Sequence, residues 1–202
     1  MNEGQLFVVS GPSGAGKGSL CKMLLDEVKA SLSVSMTTRL PRHDEVDGES
    51  YHFITPEEFE RVIEAEGFLE YAKVYGNYYG TPKQEVLEKL GEGTDVILEI
   101  DVQGAAKIKE KYPDGVFIFI LPPSMEELKK RITHRGTETE DKVRLRISEA
   151  LKEAEHIDMY DYCIVNDNLE EAAARAKAIV IAEHSRVSDG THVLIEKFKG
   201  GM

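Results

Sequence analysis

The sequence predicts an α/β fold: a P-loop three-layer arrangement with a mostly parallel central sheet, an inserted lobe and a second, helical insertion. Three observations predict it. Short apolar runs alternate with helical patterns along the chain, the rhythm of successive βα units. Those runs are nearly continuous in apolar character, as in parallel strands covered on both faces. A glycine-rich stretch ending in lysine, Gly11-Pro12-Ser13-Gly14-Ala15-Gly16-Lys17, falls directly between the first run and the first helix.

Taken in order, Leu6-Phe7-Val8-Val9 is the first strand. A helix follows from about Lys17 to Ala30, where Leu20, Leu24 and Val28 form a core-facing stripe at i, i+4 spacing. The parallel pattern then breaks from about Leu32 to Leu90. Inside this break Tyr51-His52-Phe53-Ile54 and Gly76-Asn77-Tyr78-Tyr79-Gly80 read as short strands or turns of an inserted lobe. Thr55-Pro56-Glu57-Glu58 supplies an N-cap, a proline at the first helical position and a capping-box glutamate, with Gly67 placed to close that helix. The pattern resumes with Val96-Ile97-Leu98-Glu99-Ile100, Val116-Phe117-Ile118-Phe119-Ile120 and Tyr162-Cys163-Ile164-Val165. Ser124 with Glu127, Thr137 with Glu140, and Asn168 with Glu171 repeat the N-cap signal. A second break, residues 126–150, is helical and dense in charge.

Composition narrows the function classes. With 202 residues, 41% hydrophobic and 31% charged, the chain has the makings of one globular domain with a sizeable core. A net charge of −12 argues against nucleic acid as a general partner, so any anionic substrate needs a local positive site. No apolar run reaches the ~20 residues that span a bilayer, and the N-terminus lacks a basic region followed by an apolar one. The expectation is a cytoplasmic enzyme with no membrane partner, its two cysteines, Cys21 and Cys163, reduced.

The glycine-rich stretch is the first local positive site. Its glycines let backbone N–H groups turn inward on phosphate oxygens, and the helix N-terminus adds partial positive charge. Lys17 then reaches the β- and γ-phosphates of a nucleotide. The binding set is Gly11, Pro12, Ser13, Gly14, Ala15, Gly16, Lys17, Gly18 and Ser19. Gly18 stands where the full motif carries a Ser or Thr for Mg²⁺, and Ser19 comes one residue later. Mg²⁺ is expected with ATP, held by phosphates, waters and a carboxylate, and no metal ligand is assigned.

A second positive site is Arg39 with Arg42, whose forks suit a phosphomonoester. Tyr51, Glu70 and Tyr79 follow in the same lobe, and Glu99 and Asp101 end a strand at the side where open α/β sheets bind ligands. Alternation along an extended chain points only one of Tyr78 and Tyr79 to a ligand. Thr81-Pro82-Lys83-Gln84 is also a plain helix cap, so the Thr81 hydroxyl serves either the backbone or the pocket. Arg131 and Arg135 share a helix face and Arg146 lies on the next helix; Glu127, four residues before Arg131, offers it a simple ion pair instead.

These motifs together resemble the guanylate kinase family, from about Gly4 to His184. The resemblance rests on the glycine-rich loop, Thr37-Thr38-Arg39-Leu40-Pro41-Arg42, Gly76-Asn77-Tyr78-Tyr79-Gly80, Ile100-Asp101-Val102-Gln103-Gly104, Arg135-Gly136-Thr137-Glu138-Thr139 and Ile164-Val165-Asn166-Asp167. It implies transfer of the γ-phosphoryl group of ATP to GMP. Arg39, Arg42, Tyr51 and Tyr79 would hold the GMP phosphate, with Tyr78 packing. Ser35, Glu70, Thr81 and Asp101 would line the guanine pocket. Lys17, Arg135, Arg146 and Arg131 would stabilise the transferring group. The implied parts are a family domain over 4–184, with a core of 4–32, 91–125 and 151–184, a GMP-binding lobe over 33–90 and a lid over 126–150.

The physics of the pocket agrees with guanine. One carboxylate accepts both N1–H and the 2-amino group, whereas adenine would leave it unpaired, a mismatch that costs roughly 10⁴-fold. The rival reading within the family is a phosphopeptide-binding module without catalysis, which fits poorly with retention of Lys17, Arg135 and Arg146. A GTP switch is disfavoured because Asp101-Val102-Gln103-Gly104 has no N-K-x-D companion. Residues 185–202 lie outside the resemblance; His192 to Phe198 forms a short strand or helix that docks on the domain or on another subunit, leaving a homo-oligomer open.

Overall fold

The computed structural model describes residues 4–43, 45–74, 76–134, 140–187 and 189–200. Five strands form the central sheet: β1 (Leu6–Ser10), β2 (Ala30–Leu32), β7 (Asp95–Glu99), β8 (Val116–Leu121) and β9 (Tyr162–Val165). Their order is β2-β7-β1-β8-β9, with every neighbouring pair parallel. A smaller sheet, of order β4-β3-β6-β5, contains β3 (Met36–Thr37), β4 (His52–Phe53), β5 (Phe68–Val74) and β6 (Asn77–Pro82). The helices are α1 (Lys17–Leu25), α2 (Pro56–Glu64), α3 (Lys83–Gly91), α4 (Val102–Lys111), α5 (Met125–His134), α6 (Glu140–Ala154), α7 (Leu169–Glu183) and α8 (Asp189–Gly200).

Alternation along the buried strands supplies two cores. Phe7 and Val9 point to the side of α1 and α7, where Leu20, Leu24, Ala172, Ala176 and Val180 meet them. Leu6 and Val8 point to the other face, with Val86 of α3 and Ala105 and Ile108 of α4. The three inner parallel strands, β1, β7 and β8, are buried on both faces, which explains their near-continuous apolar sequence. Cys21 lies in the first core, Cys163 is exposed, and neither forms a disulfide.

Two sequence expectations are corrected here. The first helix ends at Leu25, not near Ala30: the chain turns after Asp26, and Ala30-Ser31-Leu32 pairs with Asp95-Val96-Ile97 as an edge strand. Val28 still packs against the core, from the turn instead of from the helix. Gly67 does not supply the left-handed close of α2. Glu66 takes that conformation, with φ 51°. Gly67 is needed for close approach, since a Cβ there would lie 2.8 Å from a Val62 methyl.

The caps at Thr55, Ser124 and Asn168 form as expected, each accepting from the N–H three residues on. The Thr137 cap lies outside the described residues. α3, at the end of the segment read as the lobe, packs on the core face through Val86 and Leu90. The C-terminal segment is a helix, α8, with Val193, Leu194, Ile195 and Phe198 exposed. No helix among the described residues is long and apolar enough to cross a membrane.

Candidate active site

β1 runs through the centre of the sheet, and its C-terminal end opens into the glycine-rich loop between the ends of β7 and β8. Gly16 has φ 90°, and a Cβ there would lie 2.4 Å from the Asn166 amide nitrogen, so conformation and space both demand glycine. Asn166, at the end of β9 and buried, donates from that amide to the Ala15 carbonyl at 2.8 Å. Lys17 Nζ donates to the carbonyls of Gly11 at 2.7 Å and Pro12 at 3.3 Å, which folds its ammonium over the loop. Ser19 lies exposed on α1, and Gly18 faces Glu99: a Cβ at Gly18 would stand 3.4 Å from that carboxylate.

α6 reaches the glycine-rich loop directly, and α5 reaches Asn166 behind it. Arg146 Nη2 donates to Ser13 Oγ at 2.6 Å. Arg131 donates to Glu127 at 3.0 Å and to the Asn166 carbonyl at 3.1 Å, so its guanidinium backs the loop from behind through Asn166. Arg135 lies outside the described residues. Glu153 on α6, a residue the sequence did not single out, also approaches the loop. Burial pushes its carboxyl up to about 7, against the pull of Lys17 and of a hydrogen bond from the Ser13 backbone N–H.

That shift carries a sign. Between the ordinary carboxyl range and about 7, folded Glu153 keeps its proton while the unfolded chain loses it, so stability falls as pH rises through this window. Glu153→Gln is expected to gain about 1 kcal/mol over the native chain between pH 4 and pH 8, after allowance for solvent screening. Denaturant midpoints at the two pH values check it. Asn166→Ala removes the amide that holds Ala15 and is expected to cost about 1–3 kcal/mol of stability, read in the same denaturation experiment.

The second group of candidate residues is built on the smaller sheet. Arg39, just past β3, donates from Nε to the Tyr79 hydroxyl at 3.2 Å, and its guanidinium lies 5.4 Å from the Tyr51 ring centre. Tyr51 and Tyr79 meet edge to face at 5.9 Å. Burial raises the Tyr51 phenol to about 12, and the Glu99 carboxylate at the end of β7 adds to this. Tyr78 instead stacks on Phe59, as alternation predicts.

Glu45 completes this group and was not legible in the sequence. It takes both Arg39 nitrogens, at 2.8 and 2.9 Å, and the Arg42 backbone N–H at 2.7 Å. Burial opposes its charge, yet these bonds hold its carboxyl below the usual range. The Arg42 guanidinium stays at the rim, 3.7 Å from Glu45.

Glu70 is 5% exposed and takes the Thr81 hydroxyl at 2.8 Å, across the register of β5 with β6. The open question at Thr81 is thereby answered: its hydroxyl serves Glu70, and α3 has no side-chain cap. Burial pushes Glu70 up to about 7, with the Thr81 bond opposing and the Asp101 charge adding. Asp101 caps α4 by accepting from the Gly104 N–H at 2.7 Å. Ser35 stands just before β3, its carbonyl accepting from His52 N–H at 2.9 Å.

Comparison with known proteins agrees with this architecture. The family model described as guanylate kinase matches residues 3–183. A guanylate kinase of Clostridium acetobutylicum is 56% identical over 198 residues, covering 98% of this chain and 95% of its own length. One of Clostridioides difficile is 54% identical, with 98% of both chains covered. The crystal structure of the guanylate kinase of Anaplasma phagocytophilum superposes with a TM-score of 0.82 at 35% identity, over 96% of this chain and 95% of that one. The chain belongs to the guanylate kinase family.

Proposed function

We propose that the chain transfers the γ-phosphoryl group of ATP to the phosphate of GMP, giving ADP and GDP. The observation that carries this reading is a lysine-bearing phosphate loop facing a lobe that holds an arginine–tyrosine group and a buried carboxylate–hydroxyl pair. The first suits a nucleoside triphosphate, the second a phosphomonoester, and the third a base with two adjacent donors.

In this reading Gly11 to Ser19 bind ATP, and Lys17, Arg146, Arg135 and Arg131 neutralise charge around the transferring group. Arg39, Arg42, Tyr51 and Tyr79 bind the GMP phosphate; Ser35, Glu70, Thr81 and Asp101 receive guanine. Residues 33–90 form the acceptor lobe and 126–150 the lid. The GMP phosphate attacks the γ-phosphorus in line, with no enzyme nucleophile, because transfer needs positioning and charge neutralisation more than covalent help. Lys17 needs only to leave the Gly11 and Pro12 carbonyls to meet the phosphates.

The residues present fit a hydrated divalent ion. Glu99 faces Gly18, where a hydroxyl side chain would otherwise stand, and no cluster of three ligating side chains exists among the described residues. Mg²⁺ would thus be held by Glu99 and the nucleotide phosphates, supplying charge neutralisation when bound.

The test is ADP formation from ATP and Mg²⁺ with GMP, AMP, CMP or UMP as acceptor at equal concentration. Turnover with GMP alone is expected. Turnover with another acceptor would overturn the guanine roles of Glu70 and Asp101. Binding of GMP or a phosphopeptide without turnover would support the non-catalytic module.

A further inference from the structure

Gly104 is the third residue of α4, and its backbone is not among the left-handed glycines. A glycine inside a helix is less stable than alanine there, and no turn or strain explains this one. Space does. A Cβ on Gly104 would lie 2.8 Å from Glu70 Oε2, 3.1 Å from the Glu70 carboxyl carbon and 3.5 Å from Asp101 Oδ1. Oxygen and carbon do not approach that closely without something moving.

α4 is held in place, and the Glu70 carboxylate, at the end of a flexible side chain, yields only by straining its bond to Thr81. The other oxygen of Glu70 is held by the fully buried Thr81 hydroxyl at 2.8 Å. α4 is tied to β5 on both sides of Glu70: Lys111 Nζ donates to the Leu69 carbonyl at 2.7 Å, and Lys107 Nζ donates to the Tyr71 carbonyl. A side chain at position 104 would therefore push the carboxylate outward. It would also lift it away from the first turn of α4, whose partial positive charge favours an ionised carboxylate.

We propose that Gly104 is a positioning residue for acceptor specificity: by omitting a Cβ it lets the Glu70 carboxylate lie back against α4, and that depth selects a purine monophosphate presenting two adjacent donors. This rests on the reading of Glu70 as the group that receives guanine. Gly104 itself touches no substrate; it acts through the carboxylate.

The test compares GMP with inosine monophosphate, which keeps N1–H and lacks the 2-amino group. In Gly104→Ala the KM for GMP is expected to rise about tenfold and the GMP-over-IMP preference in kcat/KM to fall by a similar factor, the scale of a lost hydrogen bond. The KM for ATP should stay within about twofold. Adding Glu70→Asp, which shortens the side chain by one methylene, should restore part of the preference to Gly104→Ala while weakening the native chain. An unchanged GMP-over-IMP preference in Gly104→Ala, or equal losses in both nucleotide KM values, would overturn the proposal. If Gly104→Ala does not fold, recovery of folded protein in the double variant supports the contact with Glu70, and its absence overturns it. Glu70→Gln separates the underlying reading: if it leaves the preference intact, the guanine role of Glu70 fails; if it abolishes the preference while Gly104→Ala does not alter it, only the Gly104 proposal fails.

Discussion

Lys17→Ala lowers kcat by about 10²–10³-fold or more, the scale set by removing one preorganised group from developing charge in a low-dielectric site. The ammonium is already folded over the loop by the Gly11 and Pro12 carbonyls, so it reaches the phosphates with little reorganisation. On the proposed reading GMP would bind through the other sheet, to residues that Lys17 does not contact, and its dissociation constant should change by less than about threefold. Coupled ADP formation and equilibrium GMP binding measure the two quantities. A parallel loss of both would place Lys17 in the acceptor site instead of on the triphosphate.

Glu70→Gln is the second large effect, expected to lower kcat/KM for GMP by about 10³-fold, since each hydrogen bond to a charged group contributes about 1.5–3 kcal/mol. The amide keeps the volume but turns one acceptor into a donor, facing either the guanine 2-amino group or the Thr81 hydroxyl that now donates to Oε1. The native chain should also show a pH signature. Burial holds Glu70 near 7, so below that pH the carboxyl carries a proton that guanine must displace. KM for GMP then rises about tenfold per pH unit below 7. The GMP phosphate titrates near 6 on its own account, equally in both proteins, so the difference between the two profiles isolates Glu70. A Glu70→Gln profile as steep as the native one would remove Glu70 from guanine recognition.

What was legible in the sequence was what neighbours in the chain decide. The long strands announced themselves because burial on both faces leaves no polar positions, and the caps at Thr55, Ser124 and Asn168 lie three residues from the N–H groups they serve. β2 was hidden because Ala30-Ser31-Leu32 is too short to show a pattern and exists through its pairing with β7. The same limit applies at the site. The phosphate-loop pattern pointed to Lys17 and the family resemblance to Arg39, Tyr79 and Glu70, but Glu45 is by sequence one acid in a polar loop, and only the fold shows Arg39 folded onto it. Asn166 stands 151 residues from the carbonyl it holds, and Gly104 on α4 makes sense only beside Glu70 of the smaller sheet. Asn166 and Gly104 fall inside motifs of the family resemblance, but nothing local says what these residues or Glu45 do, because the constraint on each comes from a partner brought in by the fold.

The pairing of Arg39 with Glu45 bears on how the acceptor arrives. A phosphate that takes Arg39 does not neutralise an isolated cation; it replaces a carboxylate already in place. Capture is then an exchange of anions, and the charge on Arg39 is balanced before and after. The guanidinium, braced by Tyr51 and Tyr79, needs only to trade one planar set of oxygens for another. Such a trade releases few mobile ions, so GMP affinity should depend on ionic strength less steeply than two bare arginines would dictate.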